Sequence, residues 1–80
     1  MLKKDIFDLI VKHTIEVIPE LEGHEFAPSD KLSDLGANSI DRSEIITLTL
    51  ETLSFKIPRI ELAAAKNIGE LAEVIYGKLC

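Results

Sequence analysis

One cysteine, at the last position, is all that 80 residues provide. No internal disulfide can form, and thiolate metal sites lack partner thiols, so the composition fits a reducing, cytoplasmic setting. Cations are also short: nine Lys+Arg stand against fourteen Asp+Glu, a net charge of −5 with a pI near 4.9. That balance repels phosphate backbones and anionic headgroups and argues against nucleic acid and membrane surfaces as partners. No long apolar run exists. In the opening MLKKDIFDLIVKH, Asp5, Asp8 and Lys12 interrupt the apolar residues before a signal-peptide core or a membrane span could form. Nowhere do β-branched residues alternate over a strand length between turn signals, so a sheet has no support.

What is present is 46% hydrophobic and 29% charged, the balance of a folded globule, and residues 1–80 have room for a single domain. Ile6, Leu9, Ile10, His13 and Val17 recur at helical spacing while Lys4, Asp8, Lys12 and Glu16 keep to the polar side. This predicts a helix over 3–18, ended by Pro19, which lacks an amide donor. Residues 19–38 read as a long loop with isolated apolar residues Leu21, Phe26, Leu32 and Leu35; Leu32 and Leu35 share a short helical turn that anchors it. A connection of about 20 residues is more often functional than idle.

From Ser39 to about Ser54, Ile45, Ile46, Thr49, Leu50 and Leu53 fall on one arc of a helical wheel, and Ile40, Glu44, Thr47 and Glu51 form the outward stripe. Pro58 suits the first position of a short helix over Arg59–Ala65, with Ile60 and Leu62 expected inward. Asn67 and Glu70 form a capping-box pattern ahead of Ile68, Leu71, Ala72, Ile75 and Leu79, which predicts a last helix over 68–78. The fold class is all-α, a small four-helix bundle of three longer helices and a short third one with a long first loop.

Chemistry concentrates in DLGANSID, Asp34–Asp41, where a glycine-bearing loop delivers Ser39 to the start of an amphipathic helix. Unpaired amides and the positive end of the helix dipole favour an anion there, particularly a phosphate diester on that hydroxyl. Capping by Ser39 or Asn38 is the ordinary use of such residues. Gly36 reads as a turn glycine with positive φ and as room for another molecule to approach. His13, on the apolar stripe, is expected to pack, and His24 to lie exposed in the loop; neither is close to Ser39 in sequence. Glu16, Glu20, Glu22 and Glu25 read as a solvated acidic patch. An EF-hand fails because, counted from Asp30, the sixth place is Leu35 instead of glycine. GANSI lacks the second glycine and the preceding strand of a hydrolase nucleophile elbow. No metal site is expected.

The segment DKLSDLGANSIDRSEII resembles the attachment-site motif of acyl carrier proteins, in which leucine-glycine, two variable or acidic positions, serine and an aliphatic residue open the second helix. The resemblance spans essentially the whole chain. It implies that Ser39 carries 4′-phosphopantetheine, placed by a phosphopantetheinyl transferase from coenzyme A, and that the protein is no enzyme but a monomeric shuttle for acyl thioesters. The family usually has Asp before the serine; Asn38 keeps the shape and loses the charge, with Asp41 and Glu44 the nearest carboxylates that could compensate.

The stretch RSEIITLTLETLSFKIPRIELAAAKNIGELAEVI is similar to the discrete donor carriers of polyketide β-branching cassettes. That likeness implies an acyltransferase, a ketosynthase-like decarboxylase that turns malonyl into acetyl, and a hydroxymethylglutaryl-synthase-like acceptor as partners. It also implies that Ile40, Arg42, Glu44, Thr47, Lys56 and Arg59 meet them, in a rim of mixed charge. The alternatives are a general fatty-acid, peptidyl or D-alanyl carrier, or a helix-bundle adaptor that never receives the arm.

Overall fold

Pro19 and Ser54 mark where the first two long helices stop. The computed structural model describes residues 2–79, Arg59 in its backbone only; Cys80 and the Arg59 side chain lie outside the described residues. Helix α1 (Lys3–Val17) leads into a 3₁₀ turn at Pro19–Leu21, then α2 (Ser39–Thr52), the single-turn α3 (Arg59–Leu62) and α4 (Ile68–Leu79). No strand occurs among the described residues, and the expected all-α bundle with a long first loop is what forms. None of these helices is long and apolar enough to cross a membrane. Helix α1 packs against both α2 and α4, and α3 against α4.

The core is mostly isoleucine. Ile6, Ile10, Ile45, Ile68 and Ile75 have no exposed surface, and each contributes about 1.5–3 kcal/mol by leaving water. Two threonines sit among them with their hydroxyls turned back on their own helices: Thr14 Oγ1 donates to Ile10 O at 2.7 Å, and Thr49 Oγ1 to Ile45 O at 2.8 Å. These bonds let polar side chains occupy apolar positions. His13 is buried as a packing residue and ties α1 to α2. Its Nε2 lies 2.9 Å from Thr52 Oγ1, and Thr52 Oγ1 lies 2.9 Å from Leu48 O, so side chain and helix end are linked in one chain of bonds.

Helix α2 ends in a Schellman motif. Ser54 adopts φ +53°, its amide bonds Glu51 O, and the amide of Phe55 reaches back to Leu50 O. This ends the helix two residues before the expected Ser54. The third helix is shorter than the predicted 59–65, and Ile60, expected inward, is 83% exposed while Leu62 is buried. At 100° per residue two positions sit 200° apart, so Ile60 and Leu62 cannot both face the core; Ile57, before Pro58, supplies the second buried side chain instead.

The long loop is hung on the start of α4. Each of the first four amides of α4 has an acceptor: Ile68 N bonds Asp30 O, Gly69 N bonds Pro28 O, Glu70 N bonds Asn67 Oδ1 at 2.7 Å, and Leu71 N bonds Asn67 O. Asn67 is thus the cap its pattern implied. Within the loop, the Asp30 carboxylate accepts from Ala27 N at 2.9 Å and lies 3.1 Å from His24 Nε2, whose exposed ring stands edge-on to Phe26.

Close approach at Pro28 requires Gly69, since an added Cβ would lie 2.8 Å from Pro28 Cβ and 3.0 Å from its carbonyl oxygen. Gly69→Ala is expected to destabilise the fold by about 1–3 kcal/mol. Gly77→Ala, on the same helix with nothing within 4 Å of the new methyl, is expected to stabilise by about 0.5–1 kcal/mol; denaturant titration of both reads the change of sign. The Ala27 amide, then His24, hold the Asp30 carboxyl below its ordinary pKa. A lowered folded-state pKa contributes stability that is fully present above the unfolded pKa and is lost as pH falls from there through the folded-state value. Wild-type stability below about pH 4 should therefore fall more steeply than that of Asp30→Asn, measured as the denaturation midpoint against pH.

Candidate functional site

The site begins with a turn. Leu32 is buried and Leu35 half-buried against the core, and the bonds Leu35 N to Lys31 O, Gly36 N to Ser33 O and Ala37 N to Leu32 O wind the chain between them. This is the anchor expected of the two leucines. Gly36 closes it at φ +98°, a left-handed conformation, with open space where a Cβ would stand. Backbone conformation rather than crowding therefore calls for glycine. Ala37 follows, 3% exposed, and fixes how deep the chain sits as α2 begins.

Asn38, in extended conformation, is the N-cap. Its Oδ1 accepts from Asp41 N at 2.8 Å, and Asp41 Oδ2 returns to Asn38 N at 3.4 Å, a reciprocal capping box. Because Asn38 does this, Ser39 is the first helical residue and its exposed hydroxyl is not used by the cap. The first intrahelical bond runs from Arg42 N to Asn38 O, so the amides of Ser39 and Ile40 precede the helical ladder at the end where the dipole is positive. An exposed hydroxyl at a helix N-terminus fits a phosphodiester-linked arm, because the amides there favour the anion. Asp41 is engaged in the cap, and Glu44, five residues after Ser39, is an exposed carboxylate on the same groove.

The other residues singled out from the sequence spread over the outward side of α2 and the start of α3. Ile40 is 75% exposed; Glu44 and Lys56 are exposed, and Thr47 is half-buried. Ser39, Ile40, Ser43, Glu44, Thr47 and Leu48 line a shallow groove along this side. Arg59 begins α3, but its side chain is among those not described. Arg42 stands apart: half-buried, it turns back and donates from Nη1 to Ala37 O at 3.2 Å. Arg42 also lines an open groove of about 540 Å³ with Leu32, Ile46, Leu62, Ala65 and Leu71, between the loop and α2, α3 and α4. The sequence carried no signal for that bond, since it depends on how the loop descends onto α2.

The cap makes a prediction that separates shape from charge. Asn38→Ala is expected to cost about 1 kcal/mol through the lost acceptor, whereas Asn38→Asp, which keeps it beside the helix dipole, should be neutral or stabilising. Thermal denaturation of the two variants checks it.

With this geometry in place, comparison with known proteins is specific. The family model for the phosphopantetheine attachment site matches residues 10–75. The polyketide biosynthesis acyl-carrier-protein AcpK of Bacillus subtilis (strain 168) is 60% identical over 79 residues, covering 99% of this chain and 96% of that protein. Among solved structures, a chain of the crystal structure of the curacin biosynthetic pathway HMG synthase in complex with acetyl donor-ACP superposes with a TM-score of 0.91. It is 49% identical, and the match covers 96% of this chain and 99% of that one. The exposed serine at a capped helix start and these likenesses agree: the chain belongs to the phosphopantetheine-attachment family and is an acyl carrier protein.

Proposed function

We propose that Ser39 is the residue that bears 4′-phosphopantetheine, and that this carrier is a discrete donor that delivers acetyl to a hydroxymethylglutaryl-synthase-like enzyme during polyketide β-branching. The observation that carries the reading is the division of roles at the start of α2: Asn38 caps, leaving the adjacent Ser39 hydroxyl exposed at the positive end of a helix. When bound, the group supplies a flexible thiol that holds an acyl unit as a thioester. The chain's own residues present the attachment point, shelter the loop behind it and offer a surface for recognition. They perform no bond-making chemistry, so the protein is a shuttle and not a catalyst.

The donor assignment is supported by the 60% identity to a polyketide carrier and by the likeness to a carrier crystallised with an HMG synthase. On this reading the partners are a phosphopantetheinyl transferase, an acyltransferase, a ketosynthase-like decarboxylase and the synthase-like acceptor, all met in the cytoplasm. Ile40, Glu44, Thr47 and Lys56, with Arg59 at the start of α3, form the rim they read. Apolar Ile40 beside the attachment point supplies contact area, and the interspersed charges supply register more than long-range steering.

The decisive experiment incubates wild type and Ser39→Ala with coenzyme A and a broad-specificity transferase and weighs both intact. Wild type is expected to gain the mass of one phosphopantetheine and Ser39→Ala none; a gain in both would remove Ser39 from its role. The modified wild type, loaded with acetyl, is then offered to a hydroxymethylglutaryl-synthase-like enzyme. Acetyl loss to the synthase supports the donor assignment, and persistence of acetyl under conditions where a donor carrier discharges would move the protein to another carrier class.

A further inference from the structure

Residue 42 holds two successive carbonyls of the chain that leads into Ser39: its amide bonds Asn38 O at 2.9 Å, and its guanidinium, through Nη1, bonds Ala37 O at 3.2 Å. We infer that Arg42 is a positioning residue, a brace that fixes the 37–38 segment so that Ser39 is presented in one geometry to the enzyme that modifies it. The inference deepens the attachment reading and rests on it.

Electrostatics makes the bond informative. A cation in the first turn of a helix lies at the positive end of the dipole, where it is disfavoured. Among the described residues no carboxylate pairs with Arg42. The guanidinium instead turns back past the helix start to an oxygen that precedes it, and Arg42 lines the same open groove as Ile46 and Leu62. Ala37 itself is buried, so its carbonyl has restricted access to water and gains from a charged donor.

The resulting network closes around the residue before the serine. Ala37 N bonds Leu32 O, Ala37 O bonds Arg42, Asn38 N and Oδ1 bond Asp41, and Asn38 O bonds Arg42 N. Every backbone polar group from Ala37 N to Asn38 O thus has a partner, and two of them depend on residue 42. Only the guanidinium bond is a side-chain choice, because any residue at 42 supplies the amide. A lysine, with one compact ammonium, or an aliphatic residue could line the groove without making the same directed contact.

The test uses Arg42→Met in the full chain, which retains an unbranched apolar stem and removes the donors. Exchange of the Ala37 and Asp41 amides, both bonded within the junction, is expected to quicken about three- to tenfold, the range one such hydrogen bond supports. The Ile18 amide, bonded to Thr14 O at the far end of α1, should keep its rate. In phosphopantetheine transfer from coenzyme A, kcat should fall by about the same three- to tenfold while KM for the carrier stays within about twofold. Unchanged exchange at Ala37 and Asp41 overturns the brace. Equal acceleration at all three amides overturns it in favour of a general contribution to stability. A rise in KM alone that disappears at high salt overturns it in favour of a docking charge. If wild type takes no phosphopantetheine on Ser39, the attachment reading fails, and the exchange rates alone then decide whether the brace exists.

Discussion

The inner face of α2 decides where its first residue stands. Ile45, fully buried with Ile6, Ile10, Ile68 and Ile75, fixes the rotation of the helix, because a β-branched side chain has few rotamers with which to absorb a twist. Ala37 and Leu32, buried just ahead of it, fix how far the chain descends before the helix begins. Between these constraints Asn38 has one place to be, and the capping box that it forms with Asp41 follows. Exposure of Ser39 is the remainder after every neighbour has found its partner.

The same economy is visible in the long loop. Its carbonyls at Pro28 and Asp30 satisfy the first two amides of α4, so the loop serves as half of that helix's cap, and the helix serves as the loop's anchor. Gly69 permits the approach. The carboxylate of Asp30 then ties the loop to itself through Ala27 and His24. A connection of this length is thereby held without regular structure, apart from the 3₁₀ turn at Pro19–Leu21, and the strand of chain that reaches Ser39 starts from a fixed point.

Function follows from that fixity. On the proposed reading, the carrier is recognised in turn by enzymes of different chemistry, each of which reads the same short surface beside Ser39. A firm helix start with a tethered, mobile arm separates the two requirements: the protein supplies a constant address, and the arm supplies reach. Polar side chains within the core, Thr14, Thr49 and His13, each have a hydrogen-bond partner, consistent with a scaffold that holds one arrangement.

Much of this was legible in the residue order. Helical spacing of apolar residues marked three long helices to within two residues at their ends, the Asn67–Glu70 pair announced its capping box, and the glycine-serine pattern of Asp34–Asp41 marked the candidate site at the start of α2, because these are short-range effects of backbone geometry and side-chain period. What spacing left undecided was settled by packing. Ile60 turned out and Ile57 in, because Leu62 took the inward side of the single-turn α3; Asn38 rather than Ser39 became the cap; and Arg42 folded back on Ala37. Those outcomes depend on how the loop and two helices meet, a relation between segments distant along the chain that no local pattern encodes.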